Sequence, residues 1–592
     1  MPAIHLQVAA IGNERVLRQA ALDAQIGQIA IDPFEIRHER STRPGLPERA
    51  GLQCYTCLGF MSEHRRLLKS TSTISSLTIL SRIFGYLREQ RIAFLLGTSD
   101  VADAYRVAFL IPNLLRRLVG EGAVSAAFIP TFTRYLNDEN RKEAWEFANT
   151  LLTAITVFIT IVTILGVVLS PWIVPLFASG FAETPGKVEV TTVLNRIMFP
   201  YIAFVSLSAF AMGILNSFHR FAAPAFAPVL LNLCVIAFSF LTGFFSNPEI
   251  ALAVGVVAGG ALQVAIQIPP LIQSGWRFRW IWNLAHPGVR RVGLLMAPLL
   301  FGIGIVQVNV LVDTQFASYL STGSAASIGV ADRVMELVLG GYAIALSTAI
   351  LPLLSRQAAD RRLEEMRTTL NFALRIVLFV TLPATVGLIL LRREIIQVLF
   401  EHGAFDANST ALTAWALLFF AVGLSAFSMV KIIVPAFYAL HDTRTPVWTA
   451  FVAMLLNIGL NFLFIRPLEN GGPALATSLS AAFNCIALIV IFRRRHGSLD
   501  VRSVAASCLK FAAASMFMGV AAYSLIRIPG FYSGPFLQRA LALTTTILAS
   551  TGAYFGAAYL LRTREIQEMR GVYRKPAPAV GAVGEKLADP QL

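Results

Sequence analysis

Charged residues recur inside segments that are otherwise apolar. The stretch LSRIFGYLREQRIAFLLG, at 80–97, carries three arginines and a carboxylate. On a helix that advances about 100° per residue, Arg82 and Glu89 lie about 20° apart and Arg88 lies on the same side, whereas Arg91 falls further round. A guanidinium binds phosphate through two parallel hydrogen bonds, so this polar sector suits a phosphate-bearing ligand.

Two further apolar segments repeat the pattern. DAYRVAFLIPNLLRRLVGEG begins at Asp103, and ADRVMELVLGG holds Arg333 and Glu336 at an i, i+3 spacing. A charge at the bilayer centre costs about 2.5–3.5 kcal/mol on insertion scales, so these groups must face one another or water. Interhelical salt bridges are one explanation, and an anionic ligand is favoured because arginines outnumber nearby carboxylates. In the segment that begins at Asp103 the charged residues are Asp103, Arg106, Arg116, Arg117 and Glu121, and no helix faces are assigned there because Pro112 disturbs the helical phase.

A third polar group is built from oxygen-bearing side chains. Asp313 has no basic residue within a helical turn, Asn457 and Asn461 share one helix face at i, i+4, and Thr477 begins a later segment. Hard cations prefer oxygen ligands, so these four residues are a predicted sodium site. The alternative is that Asp313 is protonated or hydrogen-bonds a neighbouring helix. Beyond this ion, or coupling to the membrane potential, we expect no cofactor.

The composition is that of a membrane protein. Of 592 residues, 56% are hydrophobic and 14% are charged, against about 25% charged in soluble proteins. Apolar runs of the roughly 20 residues that span a bilayer recur after residue 70, and they do not alternate as strands do. The predicted fold is therefore an all-α polytopic membrane protein. Its net charge of +15 is explained by basic cytoplasmic loops rather than by nucleic acid.

About fourteen transmembrane helices are expected. The loops that follow the even-numbered spans hold a large excess of Lys and Arg, which predicts that both termini are cytoplasmic. The predicted spans are about 71–96, 101–134, 143–178, 187–218, 224–246, 249–273, 288–320, 325–355, 365–392, 407–440, 445–466, 472–494, 502–527 and 537–562.

The chain contains an internal repeat with an offset of 222 residues. SAAFIPTFTR at 125–134 aligns with STAILPLLSR at 347–356, and HRFAAP at 219–224 aligns with HDTRTP at 441–446. Six spans per copy is an even number, so the two six-helix lobes share one orientation and are related by an axis along the membrane normal. The predicted organisation is 1–60 as an N-terminal extension, 61–280 and 281–500 as lobes, 501–562 as two further helices, and 563–592 as a cytoplasmic tail.

Residues 1–60 do not resemble the rest of the chain. They are polar and lack the apolar core of a secretory signal, whereas Met61 begins a basic lead-in, MSEHRRLLKS. We expect the working protein to start at Met61 or the extension to be disordered. A chain that begins at Met61 is therefore expected to insert and function normally.

Other classes of protein are less consistent with the sequence. It contains no HExxH, GxSxG or Walker A motif, and its loops are short for a catalytic domain. Cys54-x-x-Cys57 has no second pair, so a zinc site is not expected. A channel is disfavoured by the duplication into lobes and by the lack of a filter-like segment. Gly85, Gly340 and Gly341 are expected to permit close helix approach and bending.

Four motifs carry a resemblance to a known family. SRIFGYLREQRIA, DAYRVAFLIPNLLRRLVGEGAVSAAFIP, ADRVMELVLGG and IIVPAFYALHDTRTPV are similar to signatures of the MurJ (MviN) lipid II flippases, within the multidrug/oligosaccharidyl-lipid/polysaccharide exporter superfamily. The resemblance covers about 61–562. The family's residues that are important for transport match Arg82, Arg88, Asp103, Arg116, Arg333 and Glu336. On this resemblance, the predicted binding residues are Arg82, Arg88, Arg116 and Arg333, with Asp103, Glu121 and Glu336 as supporting acidic residues. Asp103 and Glu336 are expected to orient the arginines.

The resemblance implies a transporter and not an enzyme. Its substrate would be lipid II, the undecaprenyl-pyrophosphate-linked disaccharide-pentapeptide, flipped across the bacterial inner membrane by alternating access. It also implies a cationic central cavity for the head group and an apolar groove at 501–562 for the lipid tail. Some members are thought to bind sodium in the second lobe, and cell-wall synthesis proteins are possible partners. The alternatives are a flippase for another polyprenyl-pyrophosphate oligosaccharide and a drug or cation exporter of the same fold.

Overall fold

The structure is a computed structural model that describes residues 73–116, 124–137 and 141–566. These residues form helices and no strand, which confirms the all-α class. Residues 1–60, the tail from 567 and Glu121 lie outside them. The helices are α1 73–96, α2 Asp100–Arg116, α3 Val124–Asn137, α4 Arg141–Val168, α5 Ser170–Phe177, α6 Lys187–Met198, α7 Tyr201–Ser217, α8 Ala222–Phe238, α9 Pro248–Ala265, α10 Ile268–Gln273, α11 Pro287–Ser318, α12 Ser324–Ala359, α13 Leu363–Phe400, α14 Ala407–Ala439, α15 Arg444–Leu468, α16 Gly471–His496, α17 Val501–Ile526 and α18 Phe536–Leu560.

The helices have the length and composition of membrane spans. Within the described residues, nine helical segments are long and apolar enough to cross a bilayer, with α6 and α7 counted together and α9 and α10 counted together. Helix α12 makes a tenth if its bent halves count as one span. Large apolar side chains such as Trp172 and Phe462 are about two-thirds exposed, as expected where lipid replaces water. Helices occupy each of the fourteen predicted intervals, but the count of fourteen membrane crossings stays a prediction.

Two predicted spans are interrupted. The fourth breaks between α6 and α7 at Pro200, and the sixth breaks before Pro269 and Pro270. Proline has no N–H group to continue the helical hydrogen bonds, so each of these breaks has a local cause. The second span is described up to Arg116, in α2, and again from Val124, in α3.

The backbone supports the predicted duplication. His219 and His441, which are 222 residues apart, have φ values of 56° and 58°. Each ends a helix in the left-handed region, and the next residue closes the same six-to-one bond, Arg220 N to Leu215 O at 2.8 Å and Asp442 N to Phe437 O at 2.9 Å. We call α1–α10 the first lobe and α11–α16 the second lobe.

The last two helices pack against the outside of α13. The hydroxyl of Tyr554 on α18 donates to the backbone carbonyl of Phe379 on α13 at 2.6 Å. The ring of Phe511 on α17 lies 5.3 Å from the ring of Phe379, measured between centroids. The buried carboxylate of Glu565 accepts from Ser507 at 3.1 Å. These contacts attach α17 and α18 to the second lobe through α13.

Helix α11 contacts both lobes. Its first residue follows His286, whose ring packs 5.6 Å from Phe147 of α4. A Cβ at Gly288 would lie 2.6 Å from the Phe147 ring, so only glycine allows this approach. At the other end of α11, Gly180 N donates to Ser318 Oγ at 3.1 Å. These three contacts join α11 to the first lobe.

Helix α11 also contacts the second lobe, through residues that lie between its two ends. The ring of Phe316 on α11 packs edge to face against the ring of Phe462 on α15, with 4.8 Å between centroids. Asp313 faces residues of α15 and α16, as described below. Helix α11 is therefore shared between the lobes rather than confined to one of them.

Candidate functional site

A cavity of about 520 Å³ lies between the lobes and is lined by basic side chains. We call it the arginine cavity. Its described lining contains five cationic side chains and one carboxylate, that of Glu336. Helices α1 and α2 of the first lobe and α12 and α14 of the second contribute the cations, which are Arg82, Arg88, Arg116, Arg333 and Lys431. All four predicted binding arginines therefore line one cavity.

Arg88 is held in place by an amide and an aromatic ring. Its Nη1 donates to Asn232 Oδ1 at 3.1 Å, and Asn232 Nδ2 donates to the carbonyl of Ser81 at 3.1 Å. The guanidinium lies 5.6 Å from the ring of Phe109. Because α8 thus fixes α1 on both sides of Gly85, the direction of Arg88 is set before any ligand arrives.

Glu89 is buried, at 5% exposure, and is paired with arginine. Its carboxylate accepts from Arg106 Nη1 at 2.7 Å and lies 3.5 Å from Arg88 Nη2. The Arg106 guanidinium lies against Gly329 of α12. The pair stabilises positive charge at the lobe interface, where an unpaired buried charge would cost several kcal/mol.

Arg116 and Arg333 are oriented by neighbours on their own helices. Arg116 Nε donates to Asn113 Oδ1 at 2.8 Å, and Arg333 Nη1 donates to Glu336 Oε2 at 2.7 Å. The predicted support of Arg333 by Glu336 therefore has a direct contact. Both contacts are i, i+3 pairs, which fix the direction of each guanidinium relative to its own helix.

Arg91, on the same helix, lies elsewhere. Its guanidinium lies between the rings of Phe94 and Phe240, at 4.8 and 4.2 Å, and Nε donates to Ser239 at 3.1 Å. The helical phase correctly separates Arg91 from Arg82 and Arg88. Its role is to pack α1 against the end of α8.

Asp103 does not contact an arginine in the described part of the chain, which corrects the prediction that it orients the cavity arginines. Its carboxylate accepts from Lys187 Nζ and from the backbone N–H groups of Gly323 and Ala326, each at 2.8 Å. Asp103 is on the first lobe, whereas the two N–H groups begin α12. An anion is favourable at a helix N-terminus, so Asp103 joins the lobes.

The turn that precedes α12 allows the close approach of Asp103 to the helix. Gly323 has a φ of 83°, and a Cβ there would come within 2.1 Å of the carbonyl oxygen of Thr98. The hydroxyls of Thr98 and Ser409 are 2.8 Å apart, and Asp100 accepts from Thr322 at 3.0 Å. We call this set of contacts between the lobes the Asp103 closure.

The four residues of the predicted cation site lie together. Asp313 accepts from Asn461 at 3.4 Å and from Thr477 at 3.3 Å, and Asn457 Nδ2 donates to Thr477 at 3.2 Å. Asn461 also donates to Asn457 Oδ1. Asn309, which sequence reasoning missed, donates to Asp313 at 3.4 Å. We call these five residues the Asp313 cluster.

The Asp313 cluster faces a second cavity of about 390 Å³. Asp313 and Thr477 line this cavity together with Arg88, Glu89 and Arg333. Arg88 and Arg333 also line the arginine cavity. The Asp313 cluster and the arginine cavity are thus linked through shared lining residues.

Several residues that line the two cavities were not among the predicted site residues. They are Arg106, Asn113, Asn232, Gln263, Gln267 and Lys431. Lys431 is the single charge in FSMVKIIVP, and Gln263 and Gln267 are an i, i+4 amide pair in GALQVAIQIPP. Polar residues at these spacings inside apolar runs were an available signal.

The predicted glycines occupy the expected places. A Cβ at Gly85 would lie 3.4 Å from Asn232 Nδ2, so α1 passes close to α8 there. Helix α12 bends by 46° between Ser324–Leu339 and Tyr342–Ala359. The bend falls at Gly340 and Gly341, as predicted.

The fold and the cavity define a class of protein. Two lobes of membrane-spanning helices enclose a polar cavity to which both contribute charged side chains, and they meet again at the Asp103 closure. This is the plan of a multi-pass membrane transporter. A solved structure described as an inward-facing multidrug resistance MATE family transporter of the MOP superfamily shares the fold, with a TM-score of 0.57 and 14% identity over 72% of this chain and 97% of that one.

Comparison with known families is more specific. A sequence profile described as lipid II flippase MurJ matches residues 92–545. A probable lipid II flippase MurJ of Vibrio cholerae serotype O1 is 35% identical over 512 residues, which cover 84% of this chain and 97% of the relative. A solved structure of lipid II flippase MurJ in an inward closed conformation gives a TM-score of 0.72 at 27% identity, over 83% and 99% of the two chains. The chain belongs to the lipid II flippase MurJ family, a family of transporters and not of enzymes.

Proposed function

We propose that this protein flips lipid II from the inner to the outer leaflet of the bacterial cytoplasmic membrane. The observation that carries the proposal is the composition of the arginine cavity, where five cations face one carboxylate among the described residues. Such a surplus suits a pyrophosphate, and guanidinium groups bind its oxygens in pairs. Membership of the family supports lipid II as the particular substrate.

The proposed mechanism is alternating access. Arg82, Arg88 and Arg116 of the first lobe and Arg333 of the second bind the pyrophosphate and nearby acidic groups of the head group. When the lobes rock, the cavity would exchange its opening from one leaflet to the other while the lipid tail stays in the bilayer. The tail would lie along the groove of α17 and α18. We also propose that both termini are cytoplasmic and that cell-wall synthesis proteins are partners.

The charge of the arginine cavity argues against one of the two alternative functions, and an experiment distinguishes the other. An exporter of organic cations needs a cavity with acidic groups in excess, which is the opposite of the described lining. Another polyprenyl-pyrophosphate oligosaccharide would satisfy the same arginines. Expression in a strain depleted of its own lipid II flippase distinguishes the two substrates. Rescue of growth is expected, and failure to rescue by a protein that reaches the membrane would contradict lipid II as the substrate.

We further propose that the Asp313 cluster binds sodium. The cluster offers a carboxylate, amide oxygens and a hydroxyl, which are the ligands hard cations prefer. Asn461 Oδ1 is buried and has no hydrogen-bond partner. A small cation would supply that partner, provided that the amides turn their oxygens toward it.

Asp313→Asn is expected to weaken transport and to remove stabilisation by sodium. A ligand that binds only the folded state raises thermal stability by an amount that grows with the logarithm of its concentration divided by its dissociation constant, and this variant loses the only formal negative charge of the cluster. Melting temperatures in sodium chloride and in the chloride of a bulky organic cation measure the difference. The matched control, Asp500→Asn, removes a carboxylate that caps α17 and should keep the full sodium shift. Equal shifts in both salts for the wild-type protein would rule the site out.

A further inference from the structure

Two glutamines form part of the arginine cavity wall without contributing charge. Gln263 lies near the end of α9 and Gln267 directly before α10. Their exposures are 4% and 0%, yet both line the cavity that holds Arg88 and Arg116. The side-chain carbonyl oxygen of each is buried without a hydrogen-bond partner. Buried polar atoms of this kind are rare unless a ligand or water satisfies them.

The break between α9 and α10 fixes this arrangement. Pro269 and Pro270 follow Gln267 and have no N–H group, so the carbonyls of Ala265 and Ile266 cannot receive the usual helical bonds. Gln267 N instead bonds to the carbonyl of Val264 at 3.0 Å. The tightened turn holds both glutamines on the wall of the first lobe.

The orientation of the Gln267 amide is set by its donor side. Its Nε2 donates to Ser208 Oγ at 2.6 Å and to the backbone carbonyl of Gln263 at 3.0 Å. Both N–H groups of the amide are therefore used, and the oxygen remains as an acceptor. The oxygen of Gln263 is a second neutral acceptor on the same wall.

Neutral acceptors select a different chemistry from the arginines. A phosphate oxygen cannot donate a hydrogen bond to a carbonyl oxygen, whereas a hydroxyl or an amide N–H can. The group that satisfies these two oxygens is therefore a hydrogen-bond donor and not the pyrophosphate itself. In a head group that places pyrophosphate on the arginines, the adjoining saccharide, with its hydroxyl and acetamide N–H groups, has that chemistry.

We propose that Gln263 and Gln267, with Gln267 positioned by Ser208, form a neutral subsite that accepts hydrogen bonds from the saccharide of the head group. The inference rests on the proposed function, because it takes the pyrophosphate site on the arginines as given. It adds a source of specificity, since a site built to bond a polar group rejects the analogue that lacks it.

The test compares two probes on the purified full chain in nanodiscs. One probe is undecaprenyl pyrophosphate, and the other is lipid II, which adds the disaccharide-pentapeptide. Gln263→Met and Gln267→Met keep the side-chain length and remove the amide. Each is expected to weaken lipid II binding by about tenfold or more, as lost polar contacts do, while undecaprenyl pyrophosphate binding changes by less than about twofold.

The control is Gln357→Met. Gln357 is also buried and also has an unpartnered oxygen, but it bonds Thr369 between α12 and α13, away from the cavity lining. It should leave the affinities for both probes unchanged. If Gln267→Met fails to insert, Gln263→Met carries the test, because it leaves the bond between Gln267 and Ser208 in place.

The outcomes separate this subsite from the proposed function. Equal loss of both probes in the glutamine variants, or no loss of either, would overturn the subsite and leave the pyrophosphate site standing. Failure of the wild-type protein to bind either probe would overturn the proposed function. Arg88→Ala should weaken both probes, which marks the pyrophosphate site independently.

Discussion

Arg88→Ala and Arg333→Ala are each expected to slow lipid II flipping by roughly ten- to a hundredfold and to fail as sole copy. A hydrogen bond to a charged group contributes about 1.5–3 kcal/mol, and about 1.4 kcal/mol corresponds to a factor of ten. The two residues lie on opposite lobes and line both cavities. Their loss therefore removes ligand contacts from each side.

Lysine should rescue these positions only in part. It keeps the charge but lacks the planar fork that binds two phosphate oxygens at once. Flipping in proteoliposomes, with membrane insertion checked separately, measures the effect. Arg196→Ala is the control, because Arg196 is exposed on α6 and bonds the carbonyl of Val167. Normal flipping by alanine variants at Arg82, Arg88, Arg116 and Arg333 would show that the arginine cavity does not bind the substrate.

Asp103→Ala is expected to open the lobes at the Asp103 closure. Removing one partner of a buried ion pair costs about 3–5 kcal/mol, and Lys187 and Asp103 are 5% and 2% exposed at their side chains. The variant also leaves two N–H groups of α12 without their acceptor. A loss of about 3 kcal/mol would shift the equilibrium between closed and open arrangements by roughly a hundredfold.

Disulfide formation between cysteines at positions 98 and 409 reports this shift. The hydroxyls of Thr98 and Ser409 are 2.8 Å apart, so Thr98→Cys and Ser409→Cys should cross-link readily in the closed arrangement. Adding Asp103→Ala should reduce cross-linking and slow transport. Asp100→Ala is the matched control, because Asp100 shares Lys187 but is 41% exposed, and its effect should be small. Cross-linking that is unchanged by Asp103→Ala would mean that other contacts hold this end.

Helical periodicity predicted which arginines of α1 share the side that lines the arginine cavity. It grouped Arg82 with Arg88 and set Arg91 apart, because helix α1 is regular over this stretch. The Asp313 cluster could also be predicted from the sequence, because Asn457 and Asn461 share a helix face and polar groups inside a membrane need polar partners. In both cases the informative pattern lies within one or two helices.

Contacts between helices that are distant in the sequence were harder to predict. Asp103 was predicted to orient the arginines, but backbone N–H groups 220 and 223 residues away and Lys187 satisfy it. Backbone donors cannot be recognised from residue types. The contact of Arg106 with Glu89 joins two helices, and the periodicity of a single helix does not reveal it.

Helix α11 would constrain the proposed rocking of the lobes. Its first turn packs on Phe147, and its last turn is hydrogen-bonded to the segment around Gly180, both in the first lobe. Asp313 lies five residues before Ser318, about 7.5 Å along the axis at 1.5 Å per residue. Separation of the lobes at this end would therefore strain the same turns of α11 that carry Asp313. We expect a change in the Asp313 cluster to be transmitted along α11 to its contacts with the first lobe.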